Sequence, residues 1–417
     1  MRIKADGDFV RRQNRLLLVE ALRLNMPLAR TEIGRETGLS LATVTSITSD
    51  LMAEGILVSQ GEDWTGRQGP GRPLQRLKLN GEAASALGIE ISIDGISMTL
   101  ANYDGGIVAR RAVRQPTPSA RATTFGRRLA LEAKQFVRQH KAASRRLARI
   151  GVSVQGIADV RRGSIAWSPA FGARDIPILA PLRDAFGVEA AIANDTNLAA
   201  QALLARAPLA RSGSAAVVFV GYGVGMGLII DGRVYDGPTG AAAEFGHMTH
   251  IPGGPLCRCG GRGCLEAYAG DYGIHRAAKG LPPASEPPHA AIDGATMSAI
   301  ESKARAGNRM ARSAYRQAGL ALGYCLARAI VILDLERVTL MGSGLSAYGL
   351  METALREGLA GGLPTGLRKD IPIDVWPSAN NTLMAEGLLR STLAAIDRQL
   401  IGRLGTDAVV AQRETAL

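Results

Sequence analysis

The sequence predicts an α/β protein: a winged helix-turn-helix over residues 1–80, then a larger strand-rich body over residues 85–400. Three observations carry that expectation. The first eighty residues hold capped helical patterns, then two strand runs around a Gly/Pro-rich loop. From Leu87 onward, short strand-like runs joined by Asp-Gly turns lead to a helix and another strand, and the order recurs in the second half. Between Glu244 and Glu266 lies a tight cluster of one histidine, three cysteines and several glycines.

The 417 residues suffice for roughly two or three domains with sizeable cores. Hydrophobic residues make up 46% and charged residues 21%, the balance of a soluble globular protein. The net charge of +12 points to an acidic partner such as nucleic acid, although arginine usage alone produces the same figure. No stretch reads as a signal peptide. The most apolar run, Ala215 to Ile230, is too rich in glycine for a membrane helix and suits a strand-turn-strand. Cysteines expected to be reduced and the missing targeting signal place the chain in the cytoplasm, with no membrane partner.

In the N-terminal unit, Leu17, Leu18, Ala21 and Leu22 mark a first helix, and Asn25-Met26-Pro27 breaks it. Thr31 is the expected cap of a second helix, Glu32 to Thr37, which Gly38 ends. Ser40 caps a third, running to about Glu54, with Val44, Ile47 and Leu51 on one face. Its other face shows Thr43, Thr45, Ser46 and Ser49, short hydroxyls able to approach phosphates and base edges. Helix, glycine turn and capped polar helix make a helix-turn-helix, whose second helix lies in the major groove of double-stranded DNA. Ile56 to Val58 and Leu77 to Leu79 are the strands of a wing, and its loop carries Arg67 and Arg72, the latter extended between glycine and proline as if to enter a minor groove. Arg11, Arg30 and Arg35 are the expected phosphate contacts. Most of the excess charge lies elsewhere: Arg110 to Arg149 holds twelve basic residues against one acidic one, on what reads as an amphipathic helix with a solvated basic face. A face near DNA, adding counterion release, is the sharper alternative.

In the body, Leu87 to Ile93, Ser97 to Asn102 and Val108 to Val113 are expected strands, followed by a helix and a strand at Ile150 to Val154. Glu189 to Ala193 is another, ending in Asn194-Asp195-Thr196-Asn197 ahead of a helix. Asp195 reads equally well as a general base for a sugar hydroxyl or as a helix cap. Val217 to Val220 and Gly227 to Ile230 form a hairpin around Gly221-Tyr222-Gly223-Val224-Gly225. Two long helices, Met310 to Val331 and Thr382 to Arg398, flank a strand that ends in Gly342-Ser343-Gly344.

The cluster reads Glu244-Phe-Gly-His247, nine residues, then Cys257-Arg-Cys259-Gly-Gly-Arg-Gly-Cys264-Leu-Glu266. Three thiolates and an imidazole make a closed tetrahedral set for a structural zinc ion: His247, Cys257, Cys259 and Cys264. Gly260, Gly261 and Gly263 let the backbone bend so that Cys264 completes the shell. Cys325 lies on an apolar helix and stands apart as a core residue.

This motif resembles the signature of the ROK family (repressors, open reading frames and kinases). The resemblance implies a two-lobed actin-like ATPase (ribonuclease H-like) sugar-kinase fold behind the winged helix, which the kinases of the family lack. It implies that Asn194, Asp195, Glu244, His247 and Glu266 contact a sugar, with Asp195 at the position of the kinase catalytic base. It also exposes departures. Family kinases carry Asp-x-Gly-Gly-Thr where this chain has Glu90-Ile91-Ser92-Ile93-Asp94, so Ile93 and Asp94 oppose a phosphate. Tyr222 stands where the kinases have threonine. Ala170 and Ala173 replace residues of the usual sugar loop, and Gln155 replaces a proline. The expected protein is a DNA-binding regulator, in the repressor manner, of carbohydrate genes. It has no catalytic activity, responds to a sugar or sugar derivative, and works as a homodimer or homotetramer on a DNA operator. The competing expectation is an active ATP-dependent sugar kinase with an added DNA-binding domain.

Overall fold

The computed structural model describes residues 7–63, 74–93, 95–114, 117, 120–206, 213–241, 243–288, 290–367, 370–376 and 382–402. Arg67, Arg72 and Asp94, all singled out above, lie outside the described residues.

Three helices, Gly7–Asn25, Arg30–Thr37 and Leu41–Ala53, form the N-terminal unit with a sheet ordered Leu28–Ala29, Leu74–Leu79, Leu57–Asp63. The first helix starts at Gly7, ten residues ahead of Leu17, where the apolar pattern begins. Thr31 does not cap the second helix: Ala29 occupies the cap, and the Glu32 carboxylate accepts its N–H at 2.8 Å. A glutamate at the third helical position does the work assigned to the threonine. Ser40 caps the third helix as expected, accepting the Thr43 N–H at 3.1 Å. Val44, Ile47 and Leu51 are buried with Leu18, Leu22 and Ile33.

That core continues into the body. Leu18 and Leu77 belong to the same apolar cluster as Tyr103, Leu393 and Ile396. At the same seam the Arg23 guanidinium grips Asp397 of the C-terminal helix Thr382–Gly402 with two hydrogen bonds of 3.0 and 2.7 Å. The Tyr103 phenol donates to the same carboxylate at 2.7 Å.

The body holds two five-stranded sheets. The first runs Glu189–Asn194, Leu147–Val154, Ser85–Ser92, Gly95–Asn102, Ile107–Val113; the second runs Ile373–Val375, Arg337–Met341, Ser214–Val220, Val224–Ile230, Arg233–Val234. In each, three consecutive antiparallel strands are extended by two parallel ones, so both share one topology. The parallel pairing needs helical crossovers, and these cover the faces. Ala122–Gln139 buries Phe125, Leu129, Ala133 and Phe136 and leaves Arg127 and Arg138 exposed, the expected amphipathic basic helix.

Helix Arg309–Leu333 is long and apolar enough to cross a membrane by length and composition, yet it packs inside the fold against helix Tyr348–Gly362. The helices Asp271–Ala278, Gly294–Arg305 and Tyr348–Gly362 complete this lobe.

Candidate functional site

Open α/β sheets gather their functional groups where the parallel strands end. Both sheets obey this. Strand Leu147–Val154 delivers Gln155, strand Glu189–Asn194 delivers Asp195, and strand Arg337–Met341 delivers the Gly342–Gly344 turn. Tyr222 comes from the hairpin between Ser214–Val220 and Val224–Ile230.

The two candidate roles of Asp195 separate at atomic level. Asn194 is the cap: its Oδ1 accepts the N–H groups of Thr196 and Asn197 at 2.8 and 3.1 Å, and its amide donates to the Gly156 carbonyl at 2.9 Å. Asp195 instead turns its Oδ2 to the cleft, where the Tyr222 hydroxyl donates to it at 2.8 Å. Its Oδ1 takes the Thr196 N–H at 2.7 Å. Burial pushes the Asp195 carboxyl up to about 6, and the bonds from Tyr222 and Thr196 hold it from rising further.

A cavity of about 50 Å³ opens beside Asp195, walled by Asn194, Glu244, His247 and Glu266 together with Gln155, Trp167, Pro169 and Tyr222. All five residues expected to face a ligand therefore line one cleft. Glu244 lies 3.7 Å from His247 Nε2. Buried Glu266 accepts the Val224 N–H at 3.2 Å and faces the Tyr272 hydroxyl at 3.3 Å. Trp167 was not singled out from the sequence. Its ring stands edge-to-face on His247 with centroids 5.2 Å apart. A tryptophan just before Ser168-Pro169, in a chain only 4% aromatic, was the available signal. Gln155 is buried, and its carbonyl oxygen accepts the Ile93 N–H at 2.9 Å. Ala170 is fully buried and takes no part in this wall; Ala173 lies nearby against the first lobe's core.

Two further cavities flank the cleft. One of about 210 Å³ joins Glu90, Ser92, Ser97, Arg114, Gln155 and Asp195. Burial pushes the Glu90 carboxyl up to about 7, opposed by Arg110 and reinforced by Asp195. The other, about 870 Å³, is bordered by Ile93, Tyr222, Asp271, Asp293 and the Ser343–Gly344 turn. Tyr222 borders both this large cavity and the small acidic one.

Behind the acidic wall, His247, Cys257, Cys259 and Cys264 converge, with one donor atom from each lying within 4.8 Å of the others. The knuckle is a small hairpin: Cys257 N–H donates to Gly261 O at 2.9 Å and His250 N–H to Gly263 O at 2.7 Å. Gly263 sits at φ 77°, and a Cβ there would run into the Ile251 carbonyl, so only glycine lets Cys264 close the set. His247 Nδ1 faces the sulfurs while Nε2 faces Glu244, which joins cluster and cleft through one ring. These four side chains could hold a metal ion. Cys325 is buried and apart from them.

On the N-terminal unit, Thr45, Ser46 and Ser49 are exposed on the third helix, and Arg35 is exposed at the end of the second. Thr43 is half-buried, its hydroxyl 2.8 Å from that of Ser40. Arg30 spends its guanidinium on Thr48 and Gln75 at 2.9 and 3.0 Å. Arg11 forms an exposed ion pair with Asp50 at 2.6 Å.

Comparison with known proteins agrees with this geometry. The ROK family profile matches residues 86–374. The xylose repressor of Bacillus subtilis is 30% identical over 271 residues, 65% of this chain and 69% of that protein. The crystal structure of a ROK family transcriptional regulator, a homologue of the E. coli MLC protein, superposes with a TM-score of 0.75 at 20% identity, over 94% of this chain and 99% of that one. A ROK family glucokinase from Streptomyces griseus, solved with glucose and AMPPNP, superposes with a TM-score of 0.57 at 22% identity, over 74% of this chain and 99% of its own. At such identities the two structures speak for the fold alone. With the family profile covering more than half its length, this chain belongs to the ROK family.

Proposed function

We propose that this protein is a sugar-responsive transcriptional repressor of carbohydrate genes. Residues 1–80 bind a double-stranded DNA operator, and residues 85–400 bind a sugar or sugar derivative. One observation carries the reading. A helix with exposed Thr45, Ser46 and Ser49 is built onto a body whose cleft converges Asp195, Glu244 and Glu266. Relatives named repressors support a regulator without enzymatic activity. Arg35, Thr45 and Ser46 are the described residues best placed for DNA, with Arg30 and Thr43 shaping that surface; Arg67 and Arg72 are proposed wing contacts.

Loss of phosphoryl transfer belongs to the same reading. A phosphoryl group moving from the large cavity to a sugar beside Asp195 would cross the Tyr222 side chain. The Ile93 N–H, which a phosphate loop would aim at its anion, is spent on Gln155. Asp271 and Asp293 add two negative charges to the large cavity against the single guanidinium of Arg114.

The metal is zinc in this account. A tetrahedral ion with bonds of about 2.3 Å to sulfur and 2.0–2.1 Å to nitrogen sets two sulfurs about 3.8 Å apart and a sulfur about 3.5–3.6 Å from the nitrogen. Cys259 Sγ and Cys264 Sγ are 3.8 Å apart, and Cys257 Sγ lies 3.6 Å from His247 Nδ1. Zinc there supplies no chemistry to a reaction; it fixes the loop that presents Glu244 and Glu266. The protein acts in the cytoplasm as a homo-oligomer, since a symmetric operator pairs with two copies of one reading head. Ligand binding between the lobes shifts the population toward a closed form and changes the spacing of those heads.

Retardation of DNA from upstream of its own gene, with and without sugars, tests the reading. Absence of any specific retarded complex would remove it. Transfer of phosphate from ATP to a hexose, above an Asp195→Asn control, would favour the kinase alternative.

A further inference from the structure

The twelve basic residues between Arg110 and Arg149 divide between two ends of one helix. Helix Ala122–Gln139 carries exposed Arg121 and Arg127 at its start and exposed Arg138 at its finish. The short helix Lys141–Ser144 and the two residues after it add exposed Lys141, Arg145 and Arg146 to the second group.

That second group sits at the end of the first sheet that carries the N-terminal unit. The Ser85 N–H donates to the Arg146 carbonyl at 2.9 Å, and the Arg146 guanidinium reaches the Glu82 carbonyl at 3.5 Å. The Glu82 N–H donates to Asn80 Oδ1 at 3.1 Å, and the Asn80 amide donates to the Gly55 carbonyl at 2.8 Å. Gly55 directly follows Glu54, the C-cap of helix Leu41–Ala53. A run of bonds therefore ties this basic corner of the body to the end of the proposed reading helix. Ala148, just beyond the corner, packs against the apolar cluster that holds that helix in place. Among the described residues, no ion pair engages Arg138, Lys141, Arg145 or Arg146. Against these four charges stand Glu82 and Asp104 at the same end of the sheet, Asp104 on the far side of strand Ser85–Ser92. Crowded cations without counter-charges repel one another, and a polyanion relieves that repulsion.

Resting on the proposed operator binding, we propose that Arg138, Lys141, Arg145 and Arg146 form a second DNA-contact surface, on the body, which holds backbone phosphates beside the base pairs read by helix Leu41–Ala53. Such contacts position the duplex and carry no sequence information. Arg127 stands about 16 Å behind Arg138 along the helix axis, roughly two screening lengths at physiological salt, and takes no part.

The test is fluorescence anisotropy of the full-length protein on a labelled duplex from upstream of its own gene, and on an unrelated duplex of equal length, over a series of salt concentrations. One variant carries Arg138→Gln and Arg145→Gln; a control of equal charge carries Arg121→Gln and Arg127→Gln. In the first, the slope of log affinity against log salt falls by about two, near 0.9 for each lost phosphate contact, and affinity at physiological salt falls about tenfold on both duplexes. The control keeps the slope of the unaltered protein. Arg138→Lys with Arg145→Lys keeps it as well, because a point charge suffices for a phosphate. An unchanged slope in the first variant overturns the proposal. So does an equal loss in the control, a loss confined to the upstream duplex, or a lysine variant that loses the slope too. Failure of the unaltered protein to form any specific complex with the upstream duplex sinks the proposed function itself; specific binding with an unchanged slope in the first variant sinks this inference alone.

Discussion

The join between the N-terminal unit and the body offers a quantitative prediction. Arg23 and Asp397 are 374 positions apart in sequence and only 8% and 9% exposed. Two hydrogen bonds connect them, and Arg23 also donates to the Tyr103 carbonyl at 2.9 Å. Asp397→Ala would leave a buried guanidinium with one carbonyl partner and a buried phenol with none. Removing one partner of a buried pair costs about 3–5 kcal/mol, because an uncompensated charge stays behind. The triple variant Arg23→Met, Asp397→Leu, Tyr103→Phe removes the polar groups together and should recover most of that loss. Denaturant unfolding followed by circular dichroism, with linear extrapolation, reads both values. The same helix links the seam to the ligand site. Gly387 lies against the backbone of Leu198, in the helix that begins at Asp195, and a Cβ there would overlap the Leu198 carbonyl. Asp397→Ala should therefore also shrink the change in DNA affinity that sugar produces. A loss below about 1 kcal/mol, or a triple variant no more stable than Asp397→Ala, would refute the reasoning.

Other outcomes follow from the same geometry. Burial raises Glu90 to about 7 from 4.5, so its stabilising neutral form is complete below about pH 4.5 and lost as pH rises through about 7. Glu90→Gln should unfold at a higher temperature than the unaltered protein at about pH 8, and the gap should close by about pH 5; an equal gap at both contradicts the burial argument. Metal analysis should find one zinc per chain, and chelation should lower the unfolding temperature and abolish sugar binding, while Cys325→Ala leaves the zinc content unchanged. Arg35→Ala should weaken operator binding and reduce its salt slope by about one, with unfolding unaltered. Arg30→Ala should instead lower the stability of the N-terminal unit, because Thr48 and Gln75 lose their partner.

The parts of this molecule legible in the sequence were those coded by local rules. The Ser40 cap, the apolar face of Leu41–Ala53 and the spacing of the four metal-ligand candidates each depend on residues close in the chain. The amphipathic helix Ala122–Gln139 was equally plain, since its period is written within eighteen residues. What stayed hidden was set by contacts across the chain. The shared topology of the two sheets rests on pairings such as Ala215 with Arg337, which no sequence window contains. The bond from Tyr222 to Asp195 spans 27 positions, and that from Ile93 to Gln155 spans 62. The Thr31 cap failed for a local reason: a threonine and a glutamate competed for one helix start, and the glutamate reached the free N–H.

In the proposed mechanism a sugar cleft governs a DNA-reading head. Fluorescence anisotropy of a labelled duplex from upstream of the gene measures this directly, titrated with full-length protein with and without a saturating sugar that calorimetry shows to bind. The predicted result is a specific, salt-sensitive isotherm whose midpoint moves about tenfold when the sugar is added, with the movement lost in Asp195→Asn. An isotherm that the sugar leaves in place, from protein shown by calorimetry to have bound it, would contradict the account.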